Sequence, residues 1–239
     1  MKGSQTERSV GKQKMSQRTL AMVENEYLEK PKGRKIVSVK TKSRKFYILL
    51  RPARANPAGW KLMNSDALMS AGLRPLINAP DSLNRSFCEY PVLPRFYVSR
   101  RLGRKLADFQ KNGYFWIISD RARQVLLSIS ETDFSFLATE VEVDPDQEPL
   151  TLWLCDVLPV LDAVDESRSE VSVGRSTSGK RIHYVGGLSK LFFDEAIVNG
   201  HHAFRLETNP DFVIVDDVFR EAFKRAGLKG LSFRCASKP

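Results

Sequence analysis

The octet GRSTSGKR (Gly174–Arg181) has the residue types of a phosphate-binding loop, with two glycines five positions apart and a lysine after the second. Such a loop works when a strand feeds it and a helix leaves it. The free amides of the helix then meet the phosphates, and a hydroxyl after the lysine holds magnesium. Further along, FVIVDD (Phe212–Asp217) has the form of the strand that would supply a metal-binding carboxylate. Here, however, Arg181 stands where the hydroxyl belongs, and the following IHYV alternates like a strand. No helix terminus would face a phosphate, so the octet is expected to be a polar hairpin tip joining EVSV to RIHYV. Asp216 and Asp217 fall where a helix begins, and capping of its free amides accounts for them without a metal.

Other reactive groups give no constellation. His201 and His202 are adjacent, and neighbours on an extended chain point to opposite sides, so they do not share one ion. His183 is placed by alternation on the polar face of its strand. GGLSK does not fit the G-x-S-x-G elbow of a serine nucleophile. Cys155, at the end of the apolar run LTLWLC, reads as a buried strand cysteine. Asp156, Asp162, Asp165 and Glu166 form the densest acidic cluster. On a helix Asp162 would share a face with Asp165 and with Glu166. Used as an acid–base pair with a histidine, they would need a pocket that gathers them; otherwise they are a solvated face offered to a basic partner. The expectation is therefore no catalytic residue, no cofactor-binding residue and no metal ligand. The chain reads as a binding protein and not an enzyme. Its partner-binding residues stay open, with Trp60, Tyr97 and Arg205 as candidate anchors by residue type.

The elements that must carry these residues are clearest in the second half. FWIISDRARQVLLSISETDFSF (Phe115–Phe136) aligns without a gap on FVIVDDVFREAFKRAGLKGLSF (Phe212–Phe233), at an offset of 97. Each copy opens with four apolar residues, then a capping side chain, Ser119 or Asp216. Apolar residues at helical spacing follow, then a short turn and a strand. The reading is an α+β fold of mixed and antiparallel strands with two related strand–helix–strand units. Leu150–Cys155 and HAFRLE are further strands, and DVLPVLDAVDESRS is a short helical or irregular piece. In the first half KIVSV and KFYILL read as strands, while TLAMVENEYLEK and NSDALMSAG read as short helices. RPARANPAGW and INAPDSLNRS read as loops, and VSRRLGRKLADFQKNG as a helix ended by Gly113.

With 239 residues, 42% of them apolar, the chain can bury a sizeable core. The net charge of +10 is unevenly placed. Residues 1–51 hold fourteen Lys or Arg and four Glu, whereas the remainder holds 24 of each sign. Residues 1–33 are expected to be a basic arm and residues 34–239 one α+β domain, with parts 34–112 and 113–239. The arm is either a means of finding phosphates or an acidic protein, or a solvated tail. A nucleic-acid partner is expected only through residues 1–51, since the folded body is neutral. Three scattered cysteines and the lack of a long apolar run or secretory leader suggest a cytoplasmic protein with no membrane partner.

The second half resembles the immunity protein 11 family of bacterial polymorphic toxin systems. The resemblance is carried by the run from Asp156 to Ser169, the FRL strand (Phe204–Leu206), the last strand and helix, and AGLKGLSF (Ala226–Phe233). FYILL with Trp60, and LADFQKNGYFWIISDRA (Leu106–Ala122), look like the family's N-terminal strand and first strand–helix unit. The resemblance implies a non-catalytic α+β protein of the bacterial cytoplasm. It would bind and neutralise a cognate toxin encoded next to it and so protect the producing cell. The alternative is a nucleic-acid-associated protein that uses the basic arm.

Overall fold

The structure, a computed structural model, describes residues 44–50, 59–68, 86–87, 90–112, 115–177, 179–186 and 189–238. The chain divides into units 1–42 and 43–239, and every described residue lies in the second. The segments expected at 19–30, 35–39, 51–58 and 77–85, and Cys88, lie outside the described residues.

Alternating apolar side chains set the layers. Strands β1 (Phe46–Leu50), β2 (Trp60–Leu62), β3 (Arg95–Val98), β4 (Phe109–Asn112) and β5 (Phe115–Ser119) precede helix α1 (Asp120–Ile129). After it come β6 (Phe134–Ala138), β7 (Glu140–Val143), β8 (Leu152–Val157) and β9 (Val160–Leu161). In β5, Phe115 and Ile117 face one core with Phe96, Leu152 and Leu154, whereas Trp116 and Ile118 face another with Cys155 and Val157. A strand buried on both faces needs cover on both. The sheet β4–β5–β8–β6 is accordingly covered on one side by the sheet β2–β3–β7.

The chain continues through β10 (Ser172–Arg175), β11 (Arg181–Tyr184), helix α2 (Glu195–Val198), β12 (Ala203–Leu206) and β13 (Asn209–Asp216). Helix α3 (Asp217–Arg225) and β14 (Ser232–Cys235) complete it. The second large sheet runs β14–β1–β13–β12–β9. Tyr47, Val213 and Val215 from this sheet share a core with Trp116, Leu126 and Phe134, and with Phe219 and Phe223 of α3. Its other face packs Phe46, Ile48, Phe204 and Ile214 against Ala163, Leu191, Phe193 and Val198. The architecture is α+β and strand-rich.

Both long helices start as their capping residues dictate. Ser119 Oγ accepts from the Ala122 amide at 3.2 Å, and Asp216 Oδ1 accepts from the Phe219 amide at 3.0 Å. Around them the pairing is alike. β5 and β6 both run antiparallel to β8, which lies between them, and β13 and β14 both run antiparallel to β1. Phe136, Leu137 and Ala138 pair with Cys155, Leu154 and Trp153; Phe233, Arg234 and Cys235 pair with Leu49, Ile48 and Tyr47. The amide of Ser119 donates to the Asp108 carbonyl at 3.0 Å, and that of Asp216 to the His202 carbonyl at 3.1 Å. The central strands differ in origin: β8 follows β6 in the chain, whereas β1 precedes every other described element.

The large sheets are joined where the chain passes from one to the other. β8 ends at Val157, the Leu158 amide bonds the Asp133 carbonyl, and β9 then pairs in parallel with β12. β10 and β11 form a separate two-stranded ribbon, with Arg175 opposite Arg181. GRSTSGKR is its tip, where the Ser176 amide bonds the Lys180 carbonyl and Gly179 takes φ 79°.

Two sequence expectations are corrected, and a third stretch, read as helical or irregular, is irregular. No helix covers the described residues Val98–Asn112; residues 99–108 are irregular and β4 follows. Phe109 and Gln110 are buried through pairing with β5, while Leu102 is exposed, so hairpin pairing overrides helical spacing. The helix expected at Asn64–Gly72 is a 3₁₀ turn over Asp66–Leu68 in its described part. DVLPVLDAVDESRS contains β9 and an isolated bridge from Val164 to Phe193, so Asp162, Asp165 and Glu166 share no helix face.

Candidate functional site

The irregular segment after β9 still brings acidic residues together, by a cation and not by helical spacing. Arg181 bonds Asp162 Oδ2 at 3.2 Å and also pairs with Glu166. Glu166 Oε1 meets His183 Nε2 at 2.5 Å, and His183 Nδ1 lies 2.7 Å from Thr208 Oγ1. An ionised carboxylate only accepts, so Nε2 carries the proton; Nδ1 of the neutral ring then accepts from the Thr208 hydroxyl. Burial holds the His183 pKa below its ordinary value and nearby Arg181 adds to this, against the opposing pull of Asp162.

Hydroxyl, imidazole and carboxylate in series have the parts of an activated nucleophile. Here His183 is fully buried and Thr208 nearly so. The chain of bonds fastens the β10–β11 ribbon to the body. This corrects the placement of His183 on a polar face: it points inward, while Val173 and Tyr184 are 51% and 57% exposed. A ribbon fastened by a polar chain turns its polar residue in.

His201 and His202 point to different acids, as their adjacency requires. His201 Nδ1 lies 2.6 Å from Asp133 Oδ1, and His202 Nδ1 lies 2.8 Å from Asp216 Oδ2. Asp133 also accepts from the amides of His202 and Ala203, and Asp216 from Arg44.

Two more expectations are overturned. Asp156 is fully buried and belongs to no solvated face; Arg205, 2% exposed, cannot anchor a partner. The two form an ion pair at 3.0 Å, and Arg205 also donates to the carbonyls of Val157 and Pro210. Trp60 is half-buried edge-on to Phe96. Tyr97 donates to Asp144 Oδ1 at 2.5 Å, and Ser99 Oγ donates to Oδ2 at 2.7 Å. Both bonds hold the Asp144 carboxyl below the usual range, and the bond to Asp144 pushes the Tyr97 hydroxyl up against the opposing pull of Ser99.

The Asp144 node lies where the 98–108 and 146–152 segments come together to line an open cleft of about 960 Å³. Val98, Leu106, Leu150 and Leu152 give it an apolar lining. A second node, Asp108, fixes the start of α1 against the loop after α3. Both its oxygens accept from Arg121, at 3.0 and 2.9 Å, and it also accepts from Ser119 Oγ and the Lys229 amide. Gly230 beside it has φ 109°, and a Cβ there would run into the Phe109 carbonyl. Arg100, Lys105 and Lys229 line the cleft and make no ion pair among the described residues. Sequence reasoning missed this surface because SRRLGRK was assigned to a helix. The available signal was four cations around a leucine that no neighbouring apolar residue accompanies.

The model of the immunity protein family (Imm11) matches residues 22–238 of the chain. No curated protein matches it.

Proposed function

The chain belongs to the immunity protein family (Imm11), and on that premise we propose that it binds a cognate toxin domain and neutralises it in the cell that makes both. The family match over residues 22–238 is the observation that carries this reading. The bonding of the reactive groups supports a non-catalytic role. Thr208, His183, Glu166, Arg181 and Asp162 are satisfied by one another, as are Asp133 and Asp216 by the histidines and Arg44.

In this reading residues 34–239 act as one binding domain in the bacterial cytoplasm, residues 1–33 are a basic arm, and no cofactor is required. The two strand–helix–strand units are copies of one scaffold element, which accounts for the shared register at an offset of 97. The toxin is encoded beside the gene. Co-expression of the two products followed by native mass spectrometry in high salt tests the reading. A stoichiometric complex, with rescue of cells that the toxin alone kills, is expected; neither complex nor rescue would sink it.

A second reading, nucleic-acid association, is favoured only by the charge excess in residues 1–51. Binding through that arm would collapse between low and moderate salt.

A further inference from the structure

We infer that the cleft between the 98–108 and 146–152 segments is the toxin-docking surface, and that it receives a carboxylate-bearing segment of the partner protein. This rests on the toxin-binding reading and specifies its geometry. Among the described residues five cations line the cleft, Arg100, Arg104, Lys105, Arg121 and Lys229, against the carboxylates Asp108, Asp146 and Glu148. Asp108 and Arg121 neutralise each other through two bonds. Of the remaining cations, Arg100, Lys105 and Lys229 have no acidic partner among the described residues and carry the positive charge left to an occupant. An occupant with carboxylates completes those cations, and complementarity of this kind steers and orients association.

The cleft distinguishes a protein from a nucleic acid. Asp146 and Glu148 lie in the same lining and would repel a run of phosphates, whereas a protein surface of mixed charge can answer both signs. Among the described residues no aromatic side chain lines the cleft, so these walls offer bases no stacking platform. Half-buried Leu106 and Leu150 offer apolar contact beside the charges, as the centre of a protein interface requires. Exposed Leu102 sits within the same basic loop, between Arg101 and Arg104. The walls are held in place by the Asp144 and Asp108 nodes, so the cations are presented on a fixed frame.

The test uses the full chain and the toxin domain encoded beside its gene, with affinity measured at 50 and 300 mM salt. Arg100→Glu/Lys105→Glu is compared with Arg175→Glu/Lys180→Glu, an equal charge change at the ribbon tip, which does not line the cleft. The cleft variant is expected to bind at least about tenfold more weakly, mostly through slower association, with the ribbon variant within about twofold of wild type. Carbodiimide coupling of the wild-type complex is expected to join Lys105 or Lys229 to Asp or Glu of the toxin. It also decides the matter should the cleft variant fail to fold. A complex that the cleft variant leaves intact, or coupling confined to other lysines, overturns the docking surface alone. A twenty-nucleotide single strand that binds wild type but not the cleft variant, and displaces the toxin, assigns the cleft to nucleic acid and overturns it too. Absence of any complex with wild type overturns the toxin-binding reading and this surface with it.

Discussion

Arg205 of β12 and Asp156 of β8 face each other across the seam between the two large sheets, Nη2 to Oδ1 at 3.0 Å, both withdrawn from water. The pair sits where the chain leaves one sheet and enters the other, and the Arg205 amide bonds the Pro159 carbonyl at 2.8 Å beside it. Removing one partner leaves the other charge buried. Arg205→Ala or Asp156→Ala is expected to cost about 3–5 kcal/mol, read from urea unfolding. The double change Arg205→Met/Asp156→Leu should recover most of that loss. Equal losses from single and double variants would show that the pair is not the source.

The two helix caps are alike in geometry and unequal in consequence. Ser119→Ala removes one cap bond and one bond to Asp108, a loss of about 1–2 kcal/mol. Asp216→Ala should cost more, about 3 kcal/mol, because it also strips Arg44 and His202 of their buried acceptor. Thermal melts of the two variants give the ranking, and a reversed order would contradict the assigned bonding.

Burial, and then Arg181, lower the pKa of His183 in the folded protein below 6.5. Just below that pH the unfolded chain binds the additional proton. The contribution to stability is therefore fully present above pH 6.5 and is lost as the pH falls from there towards the folded pKa. Urea midpoints at pH 8, 6.5 and 5.5 should show this slope in wild type and a shallower one in His183→Gln. Parallel curves would mean that His183 titrates alike in both states. Thr208→Val, which deprives Nδ1 of its donor, should lower stability by about 1–3 kcal/mol at pH 8 and leave toxin binding by the folded fraction unchanged.

Cys155 is fully buried in β8, and burial, followed by the neighbouring Asp156, pushes its thiol well above the ordinary range. Iodoacetamide at pH 8 should leave Cys155 unmodified in the folded protein while alkylating the half-buried Cys235, with both modified in urea. Peptide mass spectrometry reads the outcome. Rapid native labelling of Cys155 would place β8 outside the core.

Much of the fold was legible in the sequence because it rests on local rules. Four apolar residues before Ser119 or Asp216, and apolar spacing after them, specify a buried strand, a cap and a helix whatever surrounds them. The ribbon tip was legible for the same reason, since Arg181 and IHYV exclude a helix after the glycines. Local rules misled at SRRLGRKLADF, where helical spacing is present but β5 offers Phe109 and Gln110 a ladder to pair with. They misled again at Asp162 and Glu166, which meet through Arg181 from the ribbon and not through a helix.

The sequence by itself determined the strands, caps and turns of the second half, the concentration of positive charge in residues 1–51, and the resemblance to the family. Tertiary structure decided which of the polar residues are available to a partner. Arg205, Asp156 and His183 carry the residue types of a functional surface, yet each is enclosed by groups remote in the chain. Arg100, Lys105 and Lys229 became neighbours around one cleft only when the loop after β3 met the loop after α3. Charge and hydrogen-bonding capacity are written in single residues. Whether they are spent inside the protein or left for another molecule depends on which distant segments packing brings beside them.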